Sequence, residues 1–529
     1  MRKMDCVALL VLCIAFPACK DQPQISAASI NSLDLKRGDI VSCSPPGADK
    51  YGNVSFVVSV PATLRNDFNT AMALLYSFEY DESEKMFAKI IDQAPDCAMA
   101  YWGVAMSNFH QLWEPPLPEE LQKGTKAIAI ARSIKDKTKR ESDYIEAIGQ
   151  FYDEADRIDH RNRVLKFEKA MESIYKNYPD DSEATVLYAL ALNAAADPTD
   201  KTYAKQRKAF DLLAPVFQKE PLHPGIAHFI IHNCDYPPLA ELALPAARKY
   251  AAIAPSSSHA QHMPSHIFVR LGLWDECITS NIDAMSSAQC YAQQLKMKGH
   301  WDEELHCLDY LVYAYLQKED DAHSKQLLDY LQSIKEVSPV TFKVAYAFAA
   351  IPARYALERR QWAEAANLQL YSANVPWQKF PWQEGIFHFA KLLGYVHINK
   401  VDSAEKELAT LQSLYSILTK EKNKAPEAAQ VAVQLKASEA WIQFRKGNND
   451  KALELMTAAA DMEDASEKHP VTPCPIIPAR ELLGEMLLEM NKPTLANDAF
   501  EQDIKLHPKR RNGIKGLNIA AAKSGRKTL

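Results

Sequence analysis

At 529 residues the chain is too long for one core of ordinary size, so it needs several domains or an elongated repeat array. Hydrophobic residues at 47% and charged residues at 24% are the balance of a folded soluble protein. A net charge of −6 excludes a dedicated nucleic-acid binder, which needs a basic surface. Only 16 glycines favour helix, because glycine costs a helix about 1 kcal/mol relative to alanine.

Residues 1–18 read as an export signal: Arg2 and Lys3 precede an apolar run from Cys6 to Phe16, too short to span a bilayer. The stretch Phe16-Pro17-Ala18-Cys19 resembles a bacterial lipoprotein box. That resemblance implies cleavage before Cys19 and lipid attachment to it, although Phe16 and Pro17 depart from the usual residues. Lipid there makes the mature chain anchored rather than spanning. Lys20 follows, with no aspartate to signal inner-membrane retention, so the expected location is the bacterial outer membrane. Residues 19–36 are expected to form a tether. Residues 37–60 carry turn signals and the β-branched run "VSFVVSV", which predict a short strand, a hairpin or irregular chain. The seven cysteines beyond Cys19 are scattered with no C-x-x-C pair, which excludes a disulfide framework and leaves room for a single bridge.

From residue 61 the pattern turns helical. In "AMALLYSFEYDESEKMFAKIIDQAP" (71–95), Ala71, Leu74, Ser83, Phe87, Ile90 and Pro95 fall at the spacings of the 34-residue tetratricopeptide repeat. Small Ala71 and Ser83 let two helices approach, Phe87 fills the gap, and Pro95 ends the second helix. The same template fits "ARELLGEMLLEMNKPTLANDAFEQDIKLHP" (479–508) and, with departures, the stretches starting at 266, 311, 355 and 440. The expected fold is all-α, a TPR-like α-solenoid of helix–turn–helix units with a small irregular or β N-terminal segment. Its expected divisions are helical repeats over 61–215, histidine-rich repeats over 216–335, further repeats over 336–467, and a proline-rich crossing with a last repeat unit over 468–529.

Taken together, "LLYSFEYDESEKMF", "HPGIAHFIIH", "HMPSHIFVRLG" and "HPVTPCPIIPARELLGEML" resemble a bacterial group of tetratricopeptide-repeat proteins over residues 60–510. The resemblance implies a helical-repeat fold and an exported or membrane-associated protein, and it implies no reaction.

Eight of the fifteen histidines lie between residues 223 and 306. His228 and His232 share one helical face, which Asp235 can join. His259, His262 and His266 share another, and His306 with Asp309 lies on a later helix. With His223 they make up the ligand or metal candidates, since stacked helices can bring such faces to one pocket. Pro264 lies inside a helix if that helix starts at the Ser256–Ser258 cluster, or opens one if it starts at the proline itself. Neutral imidazoles with a carboxylate suit zinc or another transition metal. A hydrogen-bonded polar layer between repeats is the bland alternative, and Arg270 is as fit to pair with a structural carboxylate as to hold an anion. His469, Arg480 and Glu481 on the crossing are secondary candidates for the concave side. No P-loop, dinucleotide fingerprint or G-x-S-x-G elbow is present. Two functions are therefore expected in competition. One is an envelope scaffold whose concave surface binds a partner protein, peptide or small ligand. The other is a metal-dependent hydrolytic or oxidative enzyme using the histidines.

Overall fold

The structure, a computed structural model, describes residues 25–43, 50–110, 112, 115–370, 374–421 and 424–526. The signal segment and Cys19 lie outside the described residues. Among the described residues the chain is all-α; the one β-type contact is an isolated parallel bridge between His300 and Val337. No helix described is long and apolar enough to cross a membrane.

The repeat is visible in its turns. At seven places two helices are joined through one residue in the left-handed region: Phe78, Gly272, Glu319, Arg360, Asn399, Gly447 and Asn491, with φ between 54° and 83°. After each, the next N–H closes a bond back to a carbonyl five residues earlier, as from Glu79 to Leu74 (3.0 Å), Leu273 to Phe268 (2.8 Å) and Lys492 to Leu487 (2.9 Å). That is the six-to-one bond of a Schellman ending, which satisfies an orphan helix carbonyl while reversing the chain. Six of the seven turns sit in the six stretches that the sequence template picks out.

Packing between the paired helices follows the same template. Ser83 Oγ donates to the Ala71 carbonyl at 2.9 Å, so the Arg65–Tyr76 and Tyr80–Gln93 helices touch backbone to side chain. A Cβ added at Gly103 on the next helix would lie 2.3 Å from the Phe87 ring, so the aromatic filler is accommodated only by glycine there. Phe500 repeats the arrangement, wedged between Gly484 and Gly516, where an added Cβ would come within 2.6 and 2.3 Å of its ring. These contacts define the tetratricopeptide-like hairpin array directly.

Residues 37–60 form no strand or hairpin among those described. The chain there is extended and crosses the helices, with N–H groups taken up by helix side chains instead of a ladder: Val41 N–H to Glu82 Oε2 at 2.9 Å and Ser59 N–H to Glu141 Oε1. The alternating apolar residues that suggest a strand serve as anchors, with Phe56 buried against Phe68, Trp102 and Tyr144. Cys43 is bonded to Cys290, 247 residues away.

The array curls so that distant parts meet. Tyr76 packs its ring on Phe229 of the Pro224–Cys234 helix and bonds Glu183, which brings the Phe78 turn over the histidine-rich region. The proline-rich crossing runs past the Asp302–Gln317 and Phe342–Glu358 helices, where Tyr310 donates to the Val471 carbonyl and Arg354 to the Cys474 carbonyl. Near the C-terminus, Arg510 is sealed between Glu358 and Glu481.

Candidate metal centre

Four helices supply the imidazoles. Pro224–Cys234 carries His228 and His232 on one face, four residues apart. Ser257 caps the Ser258–His262 helix by accepting from the Ala260 N–H, and Pro264–Leu271 follows after Met263 alone. Both readings of Pro264 therefore hold in part: the helical path starts at the serines, and the proline opens a second helix where its missing N–H costs nothing. His306 comes from Asp302–Gln317.

The six rings gather as two neighbouring triads rather than one pocket. The ligand atoms of His228, His232 and His259 all lie within 4.8 Å of one another, as do those of His262, His266 and His306. His232 and His266 link them, with ring centroids 6.5 Å apart. Helix geometry explains the split: His259 and His266 are seven residues apart, about 10 Å along a helical path, too far to share one ion.

The second triad is enclosed, His262 being fully buried and His266 and His306 nearly so. Its tautomers are fixed by what surrounds it. His262 Nδ1–H donates to Asn281 Oδ1 at 2.7 Å, and that amide is oriented by its own bond to the Cys277 carbonyl at 2.8 Å. His266 Nδ1–H donates to the Asp235 carboxylate at 3.0 Å. Both protons are thus committed away from the centre, and the two Nε2 lone pairs face each other at 3.2 Å. Two acceptors cannot bond without a cation between them. Their separation is close to the chord of about 3.4 Å between two ligands of a tetrahedral ion at about 2.1 Å each. The Tyr310 hydroxyl stands 3.4 Å from His266 Nε2.

A charged shell supports this triad. Asp235 also takes Arg270 at 2.8 Å and Lys468 at 3.1 Å. Burial works to raise the Asp235 carboxyl, but Lys468, Arg270 and the His266 bond outweigh it and hold it far below the ordinary range. Burial in turn pushes Lys468 down to about 8. Desolvation pushes His262 and His306 well below the usual imidazole value. His266 is lowered by the same cause, opposed by Asp235. Neutral imidazoles whose second nitrogen is anchored by a carboxylate or amide are the ligand form that metal sites use.

The first triad is more open. His228 is fully buried, while His259 is half-buried. His228 Nδ1–H donates to the Tyr76 carbonyl at 2.6 Å, turning its Nε2 toward His259 Nε2 at 3.1 Å. Desolvation lowers His228 to about 3 and His232 and His259 well below the ordinary value. The half-buried Phe78 ring roofs the group, with centroids 4.4, 5.4 and 5.6 Å from His228, His232 and His259.

Several sequence candidates lie elsewhere. His223 caps its helix by accepting from the Ile226 N–H and pairs with Glu183. Asp309 turns toward Arg354 at 3.3 Å, because that buried cation needs an anion, and it joins no triad. His469 packs at a tilt against Trp382, and Arg480 pairs with Asp461 and Asp464. Glu481 is held between Arg360 and Arg510. Arg270 serves the structural carboxylate Asp235. Sequence reasoning passed over Lys468, Asn281, Tyr310 and Phe78. Tyr310 had a signal, four residues after His306 on one helical face; Lys468 had none, since it reaches Asp235 from 233 residues away.

No protein-family model matches the chain, and no curated protein matches it. Among solved structures it is similar to the P58(IPK) TPR domain, at 11% identity over 88% of this chain and 99% of that one, with a TM-score of 0.20. It is similar also to Naa15/Naa10 bound to HypK-THB, at 11% identity over 83% of this chain and 68% of that one, with a TM-score of 0.24. At those scores the superpositions do not define the helix arrangement, which rests on the turns and packing above.

Proposed function

We propose that this chain is a helical-repeat metalloprotein of the bacterial envelope, with His262, His266 and His306 holding a first-row transition ion such as zinc. One observation carries the reading: the facing Nε2 lone pairs of His262 and His266, each imidazole having its only proton bonded elsewhere. Burial disfavours adding a proton there, so a metal cation is the fitting occupant. Three imidazoles are also the ligand set of water-activating metal sites, which supports hydrolytic or oxidative chemistry as the class of activity. Elemental analysis of full-length protein purified without an affinity tag is the test. About one equivalent or more of metal, reduced in His262→Ala and His266→Ala, is expected. Less than about a tenth of an equivalent, unchanged by both substitutions, would falsify it.

The Cys43–Cys290 bond supports an oxidising compartment, in keeping with export and lipid attachment at Cys19. Labelled palmitate should enter the wild type and not Cys19→Ala; equal labelling removes the anchor. A second reading, as scaffold for a partner protein or peptide, is supported by a partly open cleft of about 100 Å³ lined by Tyr203, Pro237, Trp274, Tyr313 and Pro473. A partner that co-purifies equally with Trp274→Ala would count against that cleft.

A further inference from the structure

The first triad differs from the second in its proton inventory. His228 Nε2 must be an acceptor, because its Nδ1–H is spent on the Tyr76 carbonyl. His259 faces it at 3.1 Å. A single proton on His259 Nε2 satisfies that contact, so these rings are stable both with and without an ion. The second triad has no such neutral solution for its facing pair. The surroundings differ as well. Where the second triad has the Tyr310 hydroxyl at its side, the group over the first is the Phe78 ring, which has no donor atom. Phe78 lies on the turn after the Arg65–Tyr76 helix and is half-buried, as is His259.

We infer that His228, His232 and His259 form a second metal site, exchangeable, with its remaining coordination position on the half-buried side where His259 and Phe78 lie and filled from solvent by water or a small monodentate anion. Full loading is then two ions per chain, one locked and one accessible. The inference rests on the metalloprotein reading for the other ion but is separable from it. His259→Ala removes one ligand of the accessible site and leaves Asp235, Asn281 and Lys468 around the other.

Cobalt(II) and azide are the probes. Metal-stripped full-length protein is titrated with cobalt(II), and the visible spectrum is followed as azide is added. Two equivalents should bind. Azide should shift the bands of one of them, and that response should vanish in His259→Ala while persisting in His262→Ala. Chelator removal from the wild type, which needs no variant to fold, should show two phases at least about tenfold apart in rate, the azide-sensitive ion leaving first. One equivalent in the wild type, kept by His259→Ala and lost by His262→Ala, overturns the second site and leaves the enclosed one standing. An ion kept by His262→Ala and lost by His259→Ala supports the accessible site and overturns the enclosed one. No cobalt bound in any form overturns both.

Discussion

The two histidine triads use the same side chain, three times each, in neighbouring layers of one helical array, yet they are built differently. In the enclosed triad His262 and His266 are anchored by side chains from elsewhere in the fold, Asn281 and the Asp235–Arg270–Lys468 group. His228 is anchored by a main-chain carbonyl, and the Phe78 ring on a turn packs against all three imidazoles of its triad. What separates a locked site from an open one is therefore not the ligands but what holds their second nitrogens and what lies overhead.

Acid should act on both triads and gives the largest effect. Each of these imidazoles is neutral when folded and has a folded pKa below the unfolded value of 6.5, with His228 lowered to about 3. The unfolded chain then binds more protons than the native one, so stability is complete above about pH 6.5 and falls as pH drops toward the folded value. One such group costs about 1.4 kcal/mol per pH unit. His232, His259, His262 and His306 are shifted the same way, so the slope is steeper than that of one group. Denaturant midpoints measured from pH 8 to 5 should fall steeply below about pH 6.5, and His228→Gln should flatten the slope by about 1.4 kcal/mol per unit. A flat profile would mean the rings are solvated.

Asp235→Ala attacks the enclosed triad alone. It removes the acceptor for His266 and leaves Arg270 and Lys468 buried without their anion. Breaking a buried pair in this way costs about 3–5 kcal/mol. Chemical denaturation of the full chain checks it, and a loss under about 1 kcal/mol would show that water reaches the two cations. The accessible triad has no counterpart to this substitution, because the Tyr76 carbonyl cannot be mutated away.

Much of the fold was legible because the repeat writes its packing into spacing. Ala71, Ser83 and Phe87 mark one hairpin and Ala496 with Phe500 another, since only small residues admit the facing helix and only a large ring fills the gap. The hairpin around Asn399 escaped notice because Leu408 stands four residues after Ala404, where those units place phenylalanine. The histidines were legible as helical faces, but their division into two triads was not. That depends on the rise from His259 to His266 and on partners distant in sequence: Tyr76 lies 152 residues from His228, and Lys468 lies 233 from Asp235. Asp309 misled for the same reason. Its spacing from His306 placed it on a shared face, and the buried charge of Arg354 drew it elsewhere. The "VSFVVSV" run has the composition of a strand, but among the described residues no second strand lies beside it to complete a ladder, and its apolar residues serve as anchors on the helices.

Phe78 offers the finest discrimination. Its φ of 57° lies in the left-handed region, which costs a residue with a Cβ about 1 kcal/mol and costs glycine almost nothing. Phe78→Ala loses the ring over the accessible triad and keeps the strain; Phe78→Gly loses both. The glycine variant should therefore be the more stable of the two by about 1 kcal/mol, even though glycine is ordinarily the more disordered in the unfolded chain. Both should speed metal exchange at His228, His232 and His259 and leave the enclosed ion's off-rate where it was. If alanine proves as stable as glycine, the turn does not hold the left-handed geometry in solution. If instead both variants release the enclosed ion faster, the roof and the inner triad move as one unit, and the distinction between a locked site and an open one dissolves.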